Sequence, residues 1–287
     1  MTRIDLHTHS VVSDGTETPE ELVATAAAAG ITTLALTDHD TTGGWARAAA
    51  ALSAGMQLVR GAEFSCVSPD GRGGTVSVHL LGYLFDPEHP AIVDEQARLR
   101  EERSQRLVKM VAKLAEDGYP VDPGTVFADL PEGTTPGRPH LGQALIRAGI
   151  VASVDEAFAK LLHNDSKYYV EKADTPVETA VRMVREAGGV PVFAHALARK
   201  RGRVIETSVL ADLAEEGLGG VEVDHPDHSP EDRATLRGLA GELGLVTTGS
   251  SDYHGTNKTT PIGAETTAPD ALEALLAQAS GVEPLTG

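Results

Sequence analysis

The run Asp-Leu-His-Thr-His-Ser at 5–10 decides the fold, because it places two histidines at the end of an apolar, strand-like stretch. Three other runs repeat this arrangement: TDHD at 37–40, AHA at 194–196 and SDYH at 251–254. Each puts a His or an Asp just after a sequence typical of a β-strand. Side chains that follow several parallel strands share one rim of a barrel. The four runs therefore predict a single polar cluster on such a rim, of a kind that holds metal ions.

Strand-like and helix-like runs alternate over much of the 287 residues. This alternation indicates an α/β protein with a parallel sheet, and chemistry after so many strands indicates closure into a (β/α) barrel. We expect the barrel to be formed by residues 1–87 and 176–287. The predicted strands are 3–6, 31–36, 56–62, 75–84, 190–194, 219–224 and 244–249.

Residues 88–175 break the alternation, and we interpret them as a helical insert that lies over the mouth of the barrel. A long charged helix is predicted at 88–117, followed by shorter helices near 138–148 and 153–163. The tail after residue 281 is expected to fray. Three runs predict helix starts with Pro at the first helical position: Thr18-Pro19-Glu20-Glu21, Thr175-Pro176-Val177-Glu178 and Ser229-Pro230-Glu231-Asp232.

The formal net charge of −18 disfavours nonspecific binding to a polyanion, although bound metal cations would offset part of it. Cys66 is the single cysteine, which excludes an intramolecular disulfide and favours a buried strand residue in a reducing compartment. No apolar run approaches the ~20 residues of a membrane span. We therefore predict a cytoplasmic protein with no membrane partner and no obligate protein partner.

Histidines and carboxylates at predicted strand ends supply the candidate metal ligands. His7 and His9 alternate along a strand, so both imidazoles can face the same side. Glu63 ends an apolar strand, where an unpaired carboxylate is costly to bury, and a pair of metals would account for it. Imidazole and carboxylate together suit Mn, Fe or Zn. The candidates are His7, His9, Asp14, His39, Glu63, His79, His195, Asp252 and His254.

Single members of this set have simpler interpretations. Asp14 alone could form a turn, and His79 could be a core histidine with its hydrogen bonds satisfied. Asp40 is expected to cap a helix that starts near residue 42. Asp38 is a candidate for orienting a metal ligand through a hydrogen bond.

The motifs HTHSVVSDG, TDHD, GAE, HLLGY, AHA and SDYHG resemble those of the polymerase-and-histidinol-phosphatase (PHP) family, and they occur in both barrel segments. GRPH at 137–140 and EVDHPDHS at 222–229 resemble a subgroup of small phosphoesterases that act on nucleoside 3′,5′-bisphosphates and RNA 5′ ends. The resemblance implies a distorted seven-stranded barrel with three metals at its carboxyl-end face.

The resemblance also implies a ligand set for each metal. His7, His9, Glu63 and Asp252 would hold the first metal. Glu63 would bridge to a second metal, held also by His79 and His195. The third would be held by Asp14, His39 and His254. Ala196 stands where the family often has Pro, which changes the turn but leaves the ligand in place.

Basic residues of the insert are candidates for binding substrate. Arg103 and Arg106 lie three residues apart and share a helix face, which could instead be solvated. Arg138 and His140 open the next helix, where a phosphate is favoured. The basic run 199–203 could guide an anion or form an exposed solubilising loop.

His225 and His228 follow the sixth predicted strand, and they are catalytic candidates together with Glu63. Either histidine could donate a proton to the leaving oxygen as a general acid. A structural role close to the metals is the alternative interpretation.

These observations predict a metal-dependent phosphoesterase that uses two to three divalent transition metals, Mn, Fe or Zn, and attack by metal-bound hydroxide. The expected substrate is a small phosphorylated nucleotide, with the 3′-phosphate of a nucleoside 3′,5′-bisphosphate removed. The alternatives are 5′→3′ exonuclease action on short RNA and histidinol phosphate hydrolysis. A non-catalytic PHP interaction module and an amidohydrolase are alternatives from other classes.

Overall fold

The computed structural model describes residues 2–71, 73–128, 130 and 133–287. Its strands are β1 Ile4–Thr8, β2 Thr33–Leu36, β3 Gln57–Pro69, β4 Thr75–Tyr83, β5 Thr175–Pro176, β6 Val190–Phe193, β7 Gly220–Asp224, β8 Val246–Gly249 and β9 Leu285–Thr286. Its α-helices are α1 Pro19–Ala28, α2 Trp45–Ala50, α3 Pro90–Glu116, α4 Pro123–Phe127, α5 Arg138–Arg147, α6 Val154–Ala157, α7 Val177–Glu186, α8 Val209–Glu215, α9 Pro230–Leu243 and α10 Pro269–Leu276. A π-helical turn covers Phe158–Leu162, and 3₁₀ turns cover Arg199–Arg201 and Gly255–Asn257.

Seven strands form a nearly closed barrel in the order β1-β2-β3-β4-β6-β7-β8. The two ends of this order meet where the His9 amide donates to the Tyr253 carbonyl at 2.9 Å. The predicted class, a distorted seven-stranded α/β barrel, is confirmed. None of the described helices has the length and apolar content needed to cross a membrane.

The sheet is mixed, so the prediction of parallel strands throughout was wrong at β4. This strand runs antiparallel to both β3 and β6. The physical reason is the connection of β3 to β4, which is too short for the crossover that parallel neighbours require. β3 also extends to Pro69, beyond the predicted end at residue 62, because β4 pairs with it from Gly61 to Pro69.

Two of the three predicted helix starts carry the expected caps. The Thr18 side chain accepts the Glu21 amide before α1, and Ser229 accepts the Asp232 amide before α9. The third prediction was wrong, because Thr175–Pro176 pairs with β3 as a short strand. The helix that follows begins at Val177 without a side-chain cap.

Residues after 281 are ordered on the barrel, so the prediction of a frayed tail was wrong. Leu285–Thr286 pairs antiparallel with the start of β3, at Gln57 and Leu58. The Arg60 guanidinium donates to the Glu283 carbonyl at 2.7 Å. β4 leaves this part of the β3 edge unpaired, and an unpaired edge is a favourable place for another strand.

The insert has an apolar core of its own, separate from those of the barrel. Leu107 and Met110 of α3 pack with Leu141 and Leu145 of α5 in this core, and all four are buried. The barrel side chains form other apolar clusters, in which β-strand residues pack against the surrounding helices.

Candidate metal centre

The barrel strands and the loops that follow them bring the nine predicted ligand side chains into one connected cluster. Most come from carboxyl ends of strands or the loops after them, whereas His79 lies within the antiparallel strand β4. His7 lies at the end of β1 and His9 directly after it, and Glu63 lies on β3, where a β-bridge joins it to His39. Asp252 and His254 follow β8. Two backbones here are strained, with φ of 32° at His195 and 51° at Asp252. Backbone strain of this kind is often found at functional sites, and here it occurs at two residues whose side chains belong to the cluster.

Four donor atoms converge at the inner end of the cluster. His7 Nε2 and His9 Nε2 are 3.1 Å apart. Each lies 3.2 Å from Glu63 Oε2 and 3.5 Å from Asp252 Oδ1. The four side chains that the resemblance assigns to a first metal are therefore adjacent.

The second oxygen of Glu63 faces a different pair of histidines. Glu63 Oε1 lies 2.7 Å from His79 Nδ1 and 3.0 Å from His195 Nε2. One carboxylate thus presents each oxygen to its own set of imidazoles. This is the geometry that a ligand bridging two metals requires.

A third group surrounds Asp14. His254 Nε2 lies 3.3 Å from Asp14 Oδ1, and His39 Nε2 lies 3.6 Å from Asp14 Oδ2. His39 also turns its Nδ1 toward Glu63 Oε2, at 3.2 Å. The His39 imidazole therefore lies between Asp14 and Glu63, whereas the resemblance assigned it only to the metal held by Asp14.

Buried ring nitrogens without hydrogen bonds indicate that the residues of this cluster fit divalent metals. Nδ1 of His39 and Nδ1 of His79 are buried, and although each lies close to a Glu63 oxygen, neither makes a hydrogen bond within the described chain. A buried polar atom without a partner is costly, and a cation among these lone pairs would remove the cost. The mixture of imidazole and carboxylate donors is of the kind that binds Mn²⁺, Fe²⁺ or Zn²⁺.

Protonation states in the cluster follow from burial and neighbouring charge. Burial opposes ionisation of Glu63, but His79 and His39 outweigh it and hold the carboxyl pKa well below its usual value. Burial and the Arg201 charge lower the pKa of His195 to about 3. Burial and Lys258 lower the pKa of His254 to about 4. An ionised carboxylate beside neutral imidazoles, as at His195 and His254, is the state that ligates metals. Asp252 and Glu63 instead outweigh burial at His9 and raise its pKa to about 9, so a metal that binds there would displace a proton.

Sequence reasoning missed Glu222, a fully buried carboxylate on β7. Its Oε1 lies 3.1 Å from His7 Nδ1, and its Oε2 accepts the His195 amide at 2.8 Å. The Ser250 hydroxyl also donates to it. Glu222 therefore orients His7 so that Nε2 faces Glu63. A glutamate inside the apolar run Gly220–Val223 was the available signal.

Asp38 has the contacts expected of a residue that orients a ligand. Its carboxylate accepts the Ser10 amide at 2.8 Å and the Ser13 hydroxyl at 2.6 Å. The Ser13 oxygen in turn lies 3.4 Å from His9 Nδ1. Asp38 thus acts on His9 through Ser13.

Asp40 does not cap a helix, so that prediction was wrong. Helix α2 starts only at Trp45, and Asp40 adopts a φ of 53° that turns it toward β3. Its carboxylate accepts the Ser65 amide at 2.7 Å and Arg103 Nε at 2.5 Å. Asp40 therefore joins the insert helix α3 to the strand that carries Glu63.

Arg103 and Arg106 are buried, which rules out a solvated face. Arg106 donates to the Val170 carbonyl at 2.7 Å and lies 4.9 Å from the Tyr169 ring centre. Arg138 lies 5.5 Å from the same ring centre and donates to the Leu162 carbonyl at 2.8 Å. His140 accepts the Gly137 amide through Nδ1 at 2.9 Å, which closes the first turn of α5 rather than leaving that atom for substrate.

Arg103, Arg106, Arg138 and Lys172 form what we call the insert cation cluster. Burial and the Arg106 charge lower the pKa of Arg138 to about 10. Burial and the Arg103 charge lower the pKa of Lys172 to about 8. Asp40 pairs with Arg103, and Asp174 pairs with Lys172. Arg106 and Arg138 have no ion pair with a carboxylate of the described chain, so a bound anion would relieve the repulsion between these two buried cations.

The two candidate acids differ in what their ring nitrogens contact. His228 Nε2 accepts the Leu197 amide at 3.2 Å, and its Nδ1 lies 2.9 Å from the Val223 carbonyl. Both nitrogens of His228 are thus engaged by backbone, which favours its structural interpretation. His225 accepts the Asp227 amide through Nδ1 at 3.0 Å, so its Nε2 carries the proton, 3.3 Å from Asp252 Oδ2.

The sequence of this chain matches one protein family and several named proteins. Residues 5–133 match the PHP domain. A 3′,5′-nucleoside bisphosphate phosphatase from Chromobacterium violaceum is 35% identical over 88% of each chain. A phosphoribosyl 1,2-cyclic phosphate 1,2-diphosphodiesterase from Eggerthella lenta is 35% identical over 88% of this chain and 94% of its own. A 5′-3′ exoribonuclease from Haemophilus influenzae is 33% identical over 88% and 90%.

A solved structure extends the comparison to the whole fold. A Bifidobacterium adolescentis protein, described as a metal-dependent phosphoesterase, superposes with a TM-score of 0.90 and 36% identity over 96% of each chain. The match covers both the barrel and the insert.

Proposed function

The chain belongs to the PHP family and is a metal-dependent phosphoesterase, and from this premise we propose that it removes the 3′-phosphate of a nucleoside 3′,5′-bisphosphate. One observation carries the proposal, namely that the insert cation cluster adjoins the metal centre. A side-chain carbon built at Gly137 would lie 3.4 Å from Arg103 Nη1 and 3.8 Å from Asp14 Oδ2. A ligand with two phosphates can therefore reach the metal centre and the cations together.

The proposed ligands are His7, His9, Glu63 and Asp252 for one metal, Glu63, His79 and His195 for a second, and Asp14, His39 and His254 for a third. Such metals supply electrostatic stabilisation of phosphoryl oxygens and lower the pKa of bound water. Glu63 would hold two of them, because its Oε1 faces His79 and His195 while its Oε2 faces His7, His9 and His39. Mn, Fe and Zn all suit this donor set.

The chain's own groups would orient the substrate and stabilise the leaving oxygen. In hydrolysis, the bond from phosphorus to the ribose 3′ oxygen breaks, water supplies the new oxygen, and the leaving oxygen takes a proton. His225 would donate a hydrogen bond from Nε2 to the leaving oxygen, because its Nδ1 accepts the Asp227 amide and the ring is neutral, while the proton that the leaving oxygen takes comes from the attacking water. Arg138 and Arg106 of the insert cation cluster would hold the phosphate that does not react. A cytoplasmic location is part of the proposal, since Cys66 is free and buried.

A panel of phosphate esters tests this function. Metal-loaded protein should release phosphate from adenosine 3′,5′-bisphosphate with a higher kcat/KM than from histidinol phosphate, and faster than it shortens a 5′-phosphorylated oligoribonucleotide. The exoribonuclease relative supports the RNA reaction as the second candidate. Preferred cleavage of the oligoribonucleotide would replace our proposal with that candidate, and the His225→Asn variant should slow whichever reaction is native.

A further inference from the structure

Asp252 carries more hydrogen-bond donors than one of its oxygens can accept. Arg201 Nη2 lies 2.5 Å from Asp252 Oδ2, Lys258 Nζ lies 2.6 Å away and His225 Nε2 lies 3.3 Å away. A carboxylate oxygen offers about two lone pairs, so three donors oversubscribe it. The other oxygen, Oδ1, faces His7 and His9.

Arg201 and Lys258, which we call the rim cation pair, lie between Asp252 and solvent. Asp252 is 2% exposed, whereas the side chains of Arg201 and Lys258 are 34% and 31% exposed. The pair comes from the two segments that follow β6 and β8, on the same rim as the metal centre. An anion that enters from solvent therefore meets these cations before it meets the carboxylate.

Both cations keep donors that no described group uses. The Lys258 ammonium has three N–H bonds, and its one hydrogen bond within the described chain goes to Asp252. Arg201 bonds Asp227 through Nε and Asp252 through Nη2, while its Nη1 has no hydrogen bond in the described residues. Asp227 holds the guanidinium in place at 2.7 Å, which leaves Lys258 as the freer of the two.

We propose that the rim cation pair binds a phosphoryl oxygen of the reacting group and selects phosphate monoesters over diesters. The inference rests on the proposed function and deepens it by naming the class of ester. At pH 8 a monoester carries two negative charges and three terminal oxygens, whereas a diester carries one charge and two terminal oxygens. Two cations beside the metals stabilise the additional charge of the monoester.

This selection bears on the choice between the two candidate functions. Removal of a terminal 3′-phosphate is monoester hydrolysis, whereas shortening RNA is diester hydrolysis. Charge-assisted hydrogen bonds from the rim cation pair to the third terminal oxygen of a monoester would favour removal of the 3′-phosphate over shortening of RNA. Loss of one such bond to a charged group costs roughly 10- to 150-fold in kcat/KM.

The test compares p-nitrophenyl phosphate with bis(p-nitrophenyl) phosphate at pH 8. In Lys258→Met, kcat/KM for the monoester should fall at least ~10-fold, while that for the diester stays within about threefold. Lys109→Met is the matched control, because Lys109 is exposed on α3 and the change removes the same charge. Arg201→Lys, which keeps the charge, should lose less than Lys258→Met.

A binding measurement separates this inference from the proposed function. Calorimetric titration of inorganic phosphate into metal-loaded protein should show weaker binding in Lys258→Met than in wild type, with binding of dimethyl phosphate unchanged. Equal losses for monoester and diester, or no loss for either, would overturn the proposal. Wild-type protein that hydrolyses no phosphate ester would contradict the proposed function. If its phosphate binding still depends on Lys258, the assignment of a phosphate site to the rim cation pair would remain supported.

Discussion

Replacement of Glu222 by Gln is expected to weaken metal binding by about 10- to 100-fold, although Glu222 is not itself among the proposed ligands. The side chain keeps its size, so the barrel should fold. One of its oxygens becomes an amide nitrogen, and the groups it now faces are all donors. The His7 ring, the His195 amide and the Ser250 hydroxyl cannot all be satisfied by the single oxygen that remains.

The magnitude follows from the hydrogen bond lost at His7. A buried hydrogen bond to a charged group contributes about 1.5–3 kcal/mol, and each 1.4 kcal/mol is tenfold in an equilibrium constant. Burial opposes protonation of His7, while Glu63, Asp252 and Glu222 together raise its pKa well above the usual value. Removal of the Glu222 charge therefore also makes His7 a less basic ligand.

The assay is competition for Mn²⁺ or Zn²⁺ between the protein and a chelator of known affinity, with thermal unfolding of the metal-free protein as a check of folding. Glu216→Gln is the matched control, because Glu216 forms an exposed ion pair with Arg182 and the charge change is the same. Wild-type metal affinity in Glu222→Gln would refute the reasoning. A matching loss of affinity in Glu216→Gln would show that net charge, rather than the orientation of His7, is responsible.

Three further predictions concern the metal bridge and the insert cation cluster. Glu63→Gln should lower kcat by at least ~100-fold and reduce the metal content measured by elemental analysis, and near-wild-type turnover with unchanged metal would contradict a bridging role. Arg138→Ala should lower kcat/KM for a nucleoside 3′,5′-bisphosphate by roughly 10- to 150-fold but change that for p-nitrophenyl phosphate much less; equal losses on both would exclude a contact with the second phosphate. The pKa of Lys172 is lowered to about 8 by burial and Arg103, so its charge is lost as the pH rises above that value. The KM for the bisphosphate should therefore rise above about pH 8 in wild type but less in Lys172→Arg, and identical pH profiles would rule Lys172 out.

Local patterns were sufficient wherever the chemistry lies within a few residues of a strand end. His7 and His9 share a face because side chains alternate along a strand, and that rule needs no tertiary information. The antiparallel pairing of β3 and β4 was not predicted, because the predicted strand ended at residue 62 and so left room for a crossover before residue 75, whereas β3 continues to Pro69.

Contacts between segments that are distant in the sequence could not be predicted. The sequence predicted that Asp40 caps a helix, because its partner Arg103 lies 63 residues further along the chain and no local pattern indicates that ion pair. The pairing of Leu285–Thr286 with β3 likewise depends on which part of an edge β4 leaves uncovered. Glu222 is an intermediate case, since its burial was visible in the apolar strand but its partner His7 was not.

The separate apolar core of the insert affects how the sequence of this protein can change during evolution. Leu107, Met110, Leu141 and Leu145 stabilise the insert without contributing to the barrel clusters. A segment that buries its own apolar surface can open or vary as a unit while the remainder stays folded. Substitutions inside the insert core can therefore accumulate without disturbing the barrel, whereas the Asp40–Arg103 pair, which joins the insert to the barrel, constrains both parts at once.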